Sequence, residues 1–338
     1  MNIEFHYHIT YILARKSGFD TETASTIAYA SQYTDDNNEQ FQVLLKDGSR
    51  YRNYISQTFN ILKPKNRLVR IYTCFHFFPG NYDHPDSRRI DGSMHLFNTT
   101  AGSDDARKML DAALETGDPC RIGIAAHCFS DSWAHQNFVG FRHDFGAAEG
   151  MLQTVTPNIG HADFGYLPDI PALVWKDPRL IVENSVIRNT ERFMGAARAV
   201  FFAFAERNNL GDIESRWDEV EKLLRGAIGE DCDDYDRCMA EQPRRIAACG
   251  AICPEMPEYD KCRWLQEVSD RRLKMPESWP WRFFRMFGSR ARKFHGSEGF
   301  RGSRWFQFQE AVKQHQSWVM DLHGSRYRQI GAGVVGVL

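Results

Sequence analysis

The chain has 338 residues, of which 42% are hydrophobic and 25% are charged, and its formal net charge at pH 7 is −2. This composition is typical of a globular protein with a sizeable core, in one large domain or two average ones, and it excludes a low-complexity chain. A net charge so close to zero gives no preference for nucleic acid or any other charged partner. The sequence contains no apolar run long enough to span a bilayer.

The first residues, Met-Asn-Ile-Glu-Phe-His, have neither the basic start nor the apolar run of a secretory signal. We therefore expect a chain that is cytoplasmic as synthesised. Export by a signal-independent route, as for a secreted effector, stays open, so the localisation is left unknown.

Apolar residues recur at helical spacing through most of the chain, and strand patterns are few, with one candidate at residues 69–74. Asp20 or Thr21 is expected to cap the second helix, and Ser103 and Gly117 are expected to begin and end a later one. The fold class predicted from this pattern is all-α. The predicted helices cover residues 6–16, 21–33, 104–115, 122–138, 180–205, 213–228 and 307–322.

Cysteine and charge patterns divide the chain into three parts: a helical domain over 1–228, a cysteine-rich insertion over 229–265, and a C-terminal part over 266–338 that packs on the same domain. The insertion suits an irregular loop. Its five thiols favour disulfides over a structural zinc site, because no Cys-x-x-Cys pair occurs, and free thiols are a third option. The remaining cysteines, expected to be buried thiols, are Cys74, Cys120 and Cys128.

Residues 270–305 are rich in arginine, lysine and aromatic side chains. Such a stretch can lie on an anionic membrane surface or against phosphates. The alternative is a solvated loop whose aromatic side chains dock on the core.

His127, Asp131 and His135 lie four residues apart in a segment predicted to be helical. Because each four-residue step turns a helix by only about 40°, the three side chains share one face. A ladder of two imidazoles and a carboxylate is costly to bury unless a cation neutralises it. The spacing therefore predicts a metal site.

Further metal-competent residues occur in several other segments of the chain. Imidazole and carboxylate both suit zinc, and a carboxylate can bridge two ions. These additional candidates are His6 and His8 at the start, Asp35 and Asp36 at the end of the second helix, His76 in a Phe-His-Phe-Phe-Pro stretch, and His161 with Asp163 or Asp169.

The order of these motifs resembles that of the zinc-dependent phospholipase C superfamily, which includes the single-strand-specific zinc nucleases. Its elements are matched over roughly residues 1–200. They are an early His, an Asp at the end of the second helix in Tyr33-Thr34-Asp35, a His76-Phe77-Phe78-Pro79 element, the His127-x-x-x-Asp131 pair, a second His at 135 and a last His at 161. The chain is also similar to a bacterial family of unknown function with the same Phe-His-Tyr opening and Gln-Tyr-x-Asp-Asp element.

The resemblance implies an all-α phosphoric-ester hydrolase with one to three Zn²⁺ ions, in which metal-activated water attacks phosphorus. Asp131 would bridge two ions. His76, His127 and Asp35 or Asp36 would complete one site, and His135, His161 and an acid such as Asp169 another, with His6 or His8 serving the third. An unligated Asp36 would orient the water. Phospholipid is the first expected substrate and single-stranded nucleic acid the second, with residues 270–305 as a peripheral membrane contact.

Three features depart from that superfamily. The superfamily uses the amino group of an N-terminal Trp as a ligand, whereas this chain starts with Met1, so one ion is expected to lose ligands. Asp131 and His135 are only four residues apart, a shorter gap than in the superfamily. Position 165 is Gly where the superfamily has Glu, so another acid must partner His161.

Two other function classes remain open at this stage. A metal phosphohydrolase built on a His-Asp dipeptide has one candidate, His143-Asp144, without supporting context. A non-enzymatic binding or toxin-partner protein would hold a purely structural metal, fully ringed by protein ligands.

Overall fold

Helices form most of the structure, a computed structural model that describes residues 1–58, 60, 65–147, 159–269 and 291–331. A π-helical turn, Glu4–Ile9, leads directly into the first α-helix. The α-helices are α1 (Thr10–Lys16), α2 (Thr21–Asp36), α3 (Lys65–Phe75), α4 (Asp104–Thr116), α5 (Pro119–Ala134), α6 (Asn189–Arg207), α7 (Ile213–Ile228), α8 (Tyr235–Ala240), α9 (Gln242–Ile252), α10 (Arg263–Glu267), α11 (Arg304–Leu322) and α12 (Gly324–Gln329).

Helix ends follow the expected capping chemistry. Asp20 accepts a hydrogen bond from the Thr23 amide at the start of α2. Ser103 does the same for Ala106 in α4, and Gly117 closes that helix in the left-handed conformation. These caps satisfy backbone groups that a helix leaves unpaired at its ends, so the predicted boundaries of α4 are confirmed.

Helix α5 lies at the centre of the fold and packs against α2, α4, α6 and α11. Almost every one of its residues is buried, as expected for a helix surrounded by others. Gly123 lets α2 approach closely, since a Cβ at this position would lie 2.3 Å from the Ile27 carbonyl oxygen. This close approach brings the C-terminal end of α2 next to the middle of α5.

Two small sheets accompany the helices, so the chain is mainly helical rather than free of strands. One sheet has the order β2 (Arg50–Arg52), β1 (Phe41–Leu44), β5 (Arg292–His295), with β1 antiparallel to β2 and parallel to β5. Val43 of β1 pairs with Tyr51 and Phe294. The other sheet is the antiparallel pair β3 (Val174–Lys176) and β4 (Val186–Arg188), in which Trp175 pairs with Ile187.

Three predicted elements differ from the structure. Residues 69–74, the strand candidate, lie inside α3, where packing overrides the strand preference of β-branched residues. The helix predicted over 180–205 begins only at Asn189, because Val186–Arg188 alternates exposed and buried side chains and pairs with β3. The helix predicted over 122–138 ends at Ala134, which leaves His135 at its C-cap.

The cysteine-rich segment, residues 229–265, is not the irregular loop that the sequence suggested. It forms α8, α9 and α10 and packs on the N-terminal helices, where the hydroxyl groups of Tyr7 and Tyr29 donate to the carbonyl oxygens of Pro257 and Asp260. The guanidinium of Arg245 also donates to Glu4 in a buried ion pair with an Nε–Oε1 distance of 2.6 Å.

The described residues contain no disulfide. The preference for disulfides in the cysteine-rich segment is therefore not met in this structure. Cys74, Cys120 and Cys128 are buried thiols, as predicted.

Most of the basic and aromatic stretch at 270–305 lies outside the described residues, which resume at 291. Within the described residues, no helix combines the length and the apolar character that crossing a lipid bilayer requires. The expected absence of a membrane-spanning segment agrees with this finding.

Candidate metal centre

Eight histidine and aspartate side chains from separate segments converge beside α5. They form three groups, in each of which the potential ligand atoms lie within 4.8 Å of one another. We call these residues the histidine–aspartate cluster. The groups are His6, His127 and Asp131; Asp35, His76 and His127; and His135, His161 and Asp169.

Different elements supply the members of the cluster. His6 lies on the π-helical turn, a rare element that is frequent at functional sites. Asp35 lies on the last turn of α2, and His76 directly follows α3. His127 and Asp131 lie one turn apart on α5, and His135 is its C-cap. His161 and Asp169 come from the loop that contains the 3-10 turns Ala162–Phe164 and Leu167–Asp169.

Asp131 lies at the centre of the cluster and is only 1% exposed. Its Oδ1 atom is 3.2 Å from His6 Nε2. Its Oδ2 atom is 3.3 Å from His127 Nε2 and 3.5 Å from His76 Nδ1. The two oxygens of this carboxylate therefore face imidazoles from three elements, an arrangement suited to a ligand shared between ions.

Backbone carbonyl groups orient three of the histidines. His76 Nε2 lies 3.0 Å from the Ser56 oxygen, His135 Nδ1 2.7 Å from the His76 oxygen, and His161 Nδ1 2.7 Å from the Gly165 oxygen. A carbonyl can only accept, so each of these nitrogens carries the proton. When such a ring is neutral, its other nitrogen presents a lone pair, as in metal-ligating histidines.

Each of these lone pairs faces a carboxylate oxygen. His135 Nε2 lies 3.1 Å from Asp169 Oδ1, and His161 Nε2 lies 3.4 Å from Asp169 Oδ2. His76 Nδ1 lies 3.6 Å from Asp35 Oδ1 and 3.1 Å from His127 Nε2, with which it can also share a hydrogen bond. Two acceptors at such distances repel each other unless a proton or a metal ion lies between them. Nitrogen and oxygen ligands of a tetrahedral zinc ion are themselves about 3.3–3.6 Å apart, so the spacing fits zinc.

Other ring nitrogens of the cluster are buried without a hydrogen bond. Nδ1 of His6 and Nδ1 of His127 have no hydrogen-bond partner among the described residues. His6 Nε2 lies 3.2 Å from Asp131 Oδ1 but without hydrogen-bond geometry. The His6 and His127 rings stack with their centroids 3.8 Å apart. Because buried polar atoms are nearly always satisfied, these unsatisfied nitrogens mark the buried side of the cluster as unusual.

Burial and neighbouring charges shift the protonation of the cluster in opposite directions. Burial, with the nearby His127, lowers the pKa of His6 to about 4. Burial also lowers the pKa of His161, whereas Asp131 and Asp35 together outweigh burial and raise the pKa of His76. Burial alone would raise the pKa of Asp131, but His135 and the α-amino group hold it well below its usual range.

The α-amino group of Met1 also contacts the histidine–aspartate cluster. It is buried, donates a hydrogen bond to Asp131 Oδ1, and lies 3.1 Å from Asp169 Oδ1. Burial lowers its pKa, but the charges of Asp131 and Asp169 prevail and raise it to about 10. At neutral pH this amine is therefore an ammonium group, which neutralises part of the carboxylate charge and offers no lone pair to a metal ion.

Solvent reaches the cluster at two edges. The side chain of Asp35 is 29% exposed, whereas those of His6 and His127 are fully buried. His161 and Asp169 are 18% and 12% exposed. The cluster is therefore open to solvent at Asp35 on one side and at the His161–Asp169 pair on the other.

The structure does not bring all the sequence candidates to the cluster. His8 Nδ1 lies 3.3 Å from the sulfur of Met256, because this residue is on another side of the π-helical turn. Asp36 accepts from the Tyr259 hydroxyl and the Gln32 amide through Oδ2. None of the three groups includes Asp163, and the partner of His161 is Asp169.

His143, the alternative His-Asp candidate, caps a 3-10 turn and accepts from the Phe145 amide. It belongs to none of the three groups. The structure thus gives the His143-Asp144 dipeptide a local role in chain geometry.

A layer of polar residues lies behind His76, in which Asn37 was expected from the sequence to support the site and Ser56 and Gln309 were not. Gln309 donates to Asn37, and Asn37 donates to the Ser56 hydroxyl. The Ser56 carbonyl then accepts from His76. No sequence pattern marks Ser56 or Gln309, since their role depends on contacts between distant segments.

One family model matches residues 1–322, almost the whole chain, and its description is a family of unknown function, DUF6765. The chain belongs to the DUF6765 family. All eight residues of the histidine–aspartate cluster lie within the DUF6765 match. No curated protein and no solved structure matches this DUF6765 chain.

Proposed function

We propose that the histidine–aspartate cluster binds one to three zinc ions and that the protein is a metal-dependent phosphoric-ester hydrolase. One observation carries the proposal. Three histidines, two of them buried, donate a hydrogen bond from one ring nitrogen to a backbone carbonyl and have the other nitrogen near an aspartate oxygen, at about the spacing of zinc ligands. The motif order shared with the zinc-dependent phospholipase C superfamily supports the same chemistry.

The ligand set favours zinc over the hard cations. Magnesium and calcium prefer oxygen ligands, whereas each of the three groups contains two imidazoles and one carboxylate. When bound, the ions would lower the pKa of a coordinated water molecule and stabilise charge on a phosphoryl group.

Two aspartates of the cluster would hold the metal ions and the attacking water in position. Asp131 would hold two groups together, since its two oxygens face different imidazoles. Asp35, the most exposed acid of the cluster, would accept a hydrogen bond from water that enters from solvent. We assign this role to Asp35 rather than Asp36, because Asp36 Oδ2 already accepts from Tyr259 and Gln32.

Phospholipid remains the first proposed substrate and single-stranded nucleic acid the second. The His76-Phe77-Phe78-Pro79 element, which suggested phospholipid, forms one wall of the site: the Phe77 ring stacks on His135 with their centroids 4.5 Å apart. The basic and aromatic residues that also suggested phospholipid lie mostly outside the described residues.

The direct test compares hydrolysis of phosphatidylcholine in mixed micelles with hydrolysis of single-stranded DNA by zinc-loaded protein, before and after treatment with a chelator. We expect release of phosphocholine that stops with the chelator and returns with zinc. Asp131→Asn should be inactive under every condition. Cleavage of DNA alone would establish the second substrate, and activity that survives complete metal removal would contradict the proposal.

A structural metal site is the second candidate, favoured by the complete burial of the His6 and His127 side chains. Structural zinc is closed by four protein ligands, whereas catalytic zinc keeps a position for water. Protein that carries stoichiometric zinc but hydrolyses neither substrate would favour this candidate.

A further inference from the structure

A pocket of about 350 Å³ lies in the cysteine-rich segment and is independent of the proposed hydrolase function. Two cysteines, Cys232 and Cys238, line it together with three arginines, Arg237, Arg244 and Arg245. Three acidic residues, Glu230, Asp231 and Glu241, also line the pocket, so the charge that matters is the guanidinium in direct contact with a thiol, a feature typical of reactive cysteines.

The two sulfur atoms are neighbours. Both thiols line the same pocket, and only five residues separate the two cysteines along the chain. The Cys238 sulfur also lies 3.8 Å from the Cys232 carbonyl oxygen, and Arg237 Nε donates to the Cys232 sulfur over 3.2 Å. The guanidinium can thus stabilise a thiolate on Cys232 while Cys238 stays within reach.

The backbone holds both cysteines in place. The Cys232 amide donates to the Ala172 oxygen over 2.8 Å, and its carbonyl accepts from the Val174 amide over 2.7 Å. The Cys238 carbonyl accepts from Arg245 Nη1 over 2.8 Å. The two thiols therefore do not depend on a flexible loop to meet.

We propose that Cys232 and Cys238 form a reactive dithiol, which reduces small organic disulfides that enter this pocket and closes to an intrachain disulfide. The Cys232 thiolate attacks one sulfur of the organic disulfide, forms a mixed disulfide and releases one organic thiolate. Cys238 then loses its proton and attacks the Cys232 sulfur, which releases the second thiolate. Two electrons pass from the protein to the organic disulfide, and two small thiols leave.

The other two buried cysteines of the segment provide an internal comparison. Burial raises the pKa of Cys249 to about 12 and also raises that of Cys253. Burial would raise the pKa of Cys232 as well, but hydrogen bonds from Cys238, Arg237 and the backbone lower it instead. Thiolate reactivity should therefore be concentrated at Cys232.

The experiment treats the reduced full-length protein with 4,4′-dithiodipyridine, an aromatic disulfide whose thiol product absorbs light. We expect a fast phase that releases two product molecules per chain, and peptide mass mapping should then find a Cys232–Cys238 link. Cys232→Ser should abolish the fast phase. Cys238→Ser should release one product molecule and retain an adduct on Cys232, and Cys249→Ser, the matched control, should behave like the wild type.

Arg237→Gln gives a test that does not remove a cysteine. The Arg237 side chain is 64% exposed, so this change should leave the fold intact. We expect the rapid phase to become slower while the total amount of thiol product released stays the same. The pH at which its rate is half-maximal should move upward. A fast phase that survives in Cys232→Ser, a link between other cysteines, or thiols that react only after a chelator removes a bound metal would each overturn the proposal.

Discussion

Asp131 and Asp177 are buried to the same extent, each 1% exposed, but their partners differ in kind. Both oxygens of Asp177 accept from one guanidinium, that of Arg179, over 2.8 and 2.6 Å. The same guanidinium donates to the Phe145 carbonyl and lies over the Phe138 ring. Both carboxylate oxygens of Asp177 are therefore satisfied by a side chain only two residues away in the sequence.

Asp131 has partners from several distant segments, and most of them are imidazole nitrogens. A pair that is complete in donors and acceptors needs no further ligand and stabilises the fold. In the function proposed here, the imidazole-rich cluster around Asp131 would also bind a metal cation, so two equally buried aspartates would serve different purposes.

The largest effect should follow from Asp131→Asn. Loss of a shared ligand should reduce zinc affinity by more than the about 10- to 100-fold seen when a residue behind a ligand is changed. Elemental analysis after dialysis against a weak chelator measures it. Asp177→Asn is the matched control and should keep its zinc per folded chain; full zinc retention by Asp131→Asn would refute the central role of this carboxylate.

Breaking the Asp177–Arg179 ion pair should lower the stability of the protein and leave its metal content unchanged. Arg179→Met leaves Asp177 buried without its counter-charge, which we expect to lower the free energy of unfolding by about 3–5 kcal/mol. Urea unfolding measures the change, and zinc content should stay at the wild-type level. Loss of zinc from the folded variant would mean that the two regions are not separate.

Asp35 and Asp36 are adjacent at the end of α2, and only Asp35 belongs to the cluster, so their variants compare a cluster residue with its neighbour outside the cluster. Asp35→Asn should weaken zinc binding and hydrolysis together, since Asp35 Oδ1 faces His76 and His127. Asp36→Asn should change neither, because an amide oxygen can still accept from Tyr259. The two variants are compared by zinc competition and initial rates; the reverse order of effects would restore Asp36 as the functional acid.

The smallest effect should come from Gly165, whose carbonyl orients His161. Its φ of 55° and ψ of −127° suit glycine alone, so Gly165→Ala should cost about 1–3 kcal/mol of backbone strain and loosen one ion. Gly117→Ala, at a left-handed helix end with open space around it, is the control. It should lose stability without any change in zinc affinity.

Local patterns were sufficient to predict part of this molecule. The ladder from His127 to His135 follows from four-residue spacing, and the caps of α4 follow from Ser103 and Gly117. The selection of His6 over His8 could not be made, because a π-helical turn changes which side chains share a face. The acid that partners His161, Asp169, could not be predicted either, because this pairing depends on how a loop folds back onto α5.

Contacts between distant segments account for the rest. The carbonyl groups of Ser56 and Gly165 have no side-chain signature, yet they decide which nitrogen of His76 and His161 is free to bind. The helices of the cysteine-rich segment were missed because its prolines and charges resemble a loop. They are stabilised by packing against the N-terminal helices, through contacts such as Arg245 with Glu4.

A crystal of the protein grown with zinc and measured on both sides of the zinc absorption edge would show directly whether the cluster binds metal. We expect an anomalous peak bounded by His135, His161 and Asp169, or by His127 with Asp131, within about 2.0–2.2 Å of their nitrogen and oxygen atoms. A map without any such peak, in which protons alone join His135 to Asp169, would contradict this expectation.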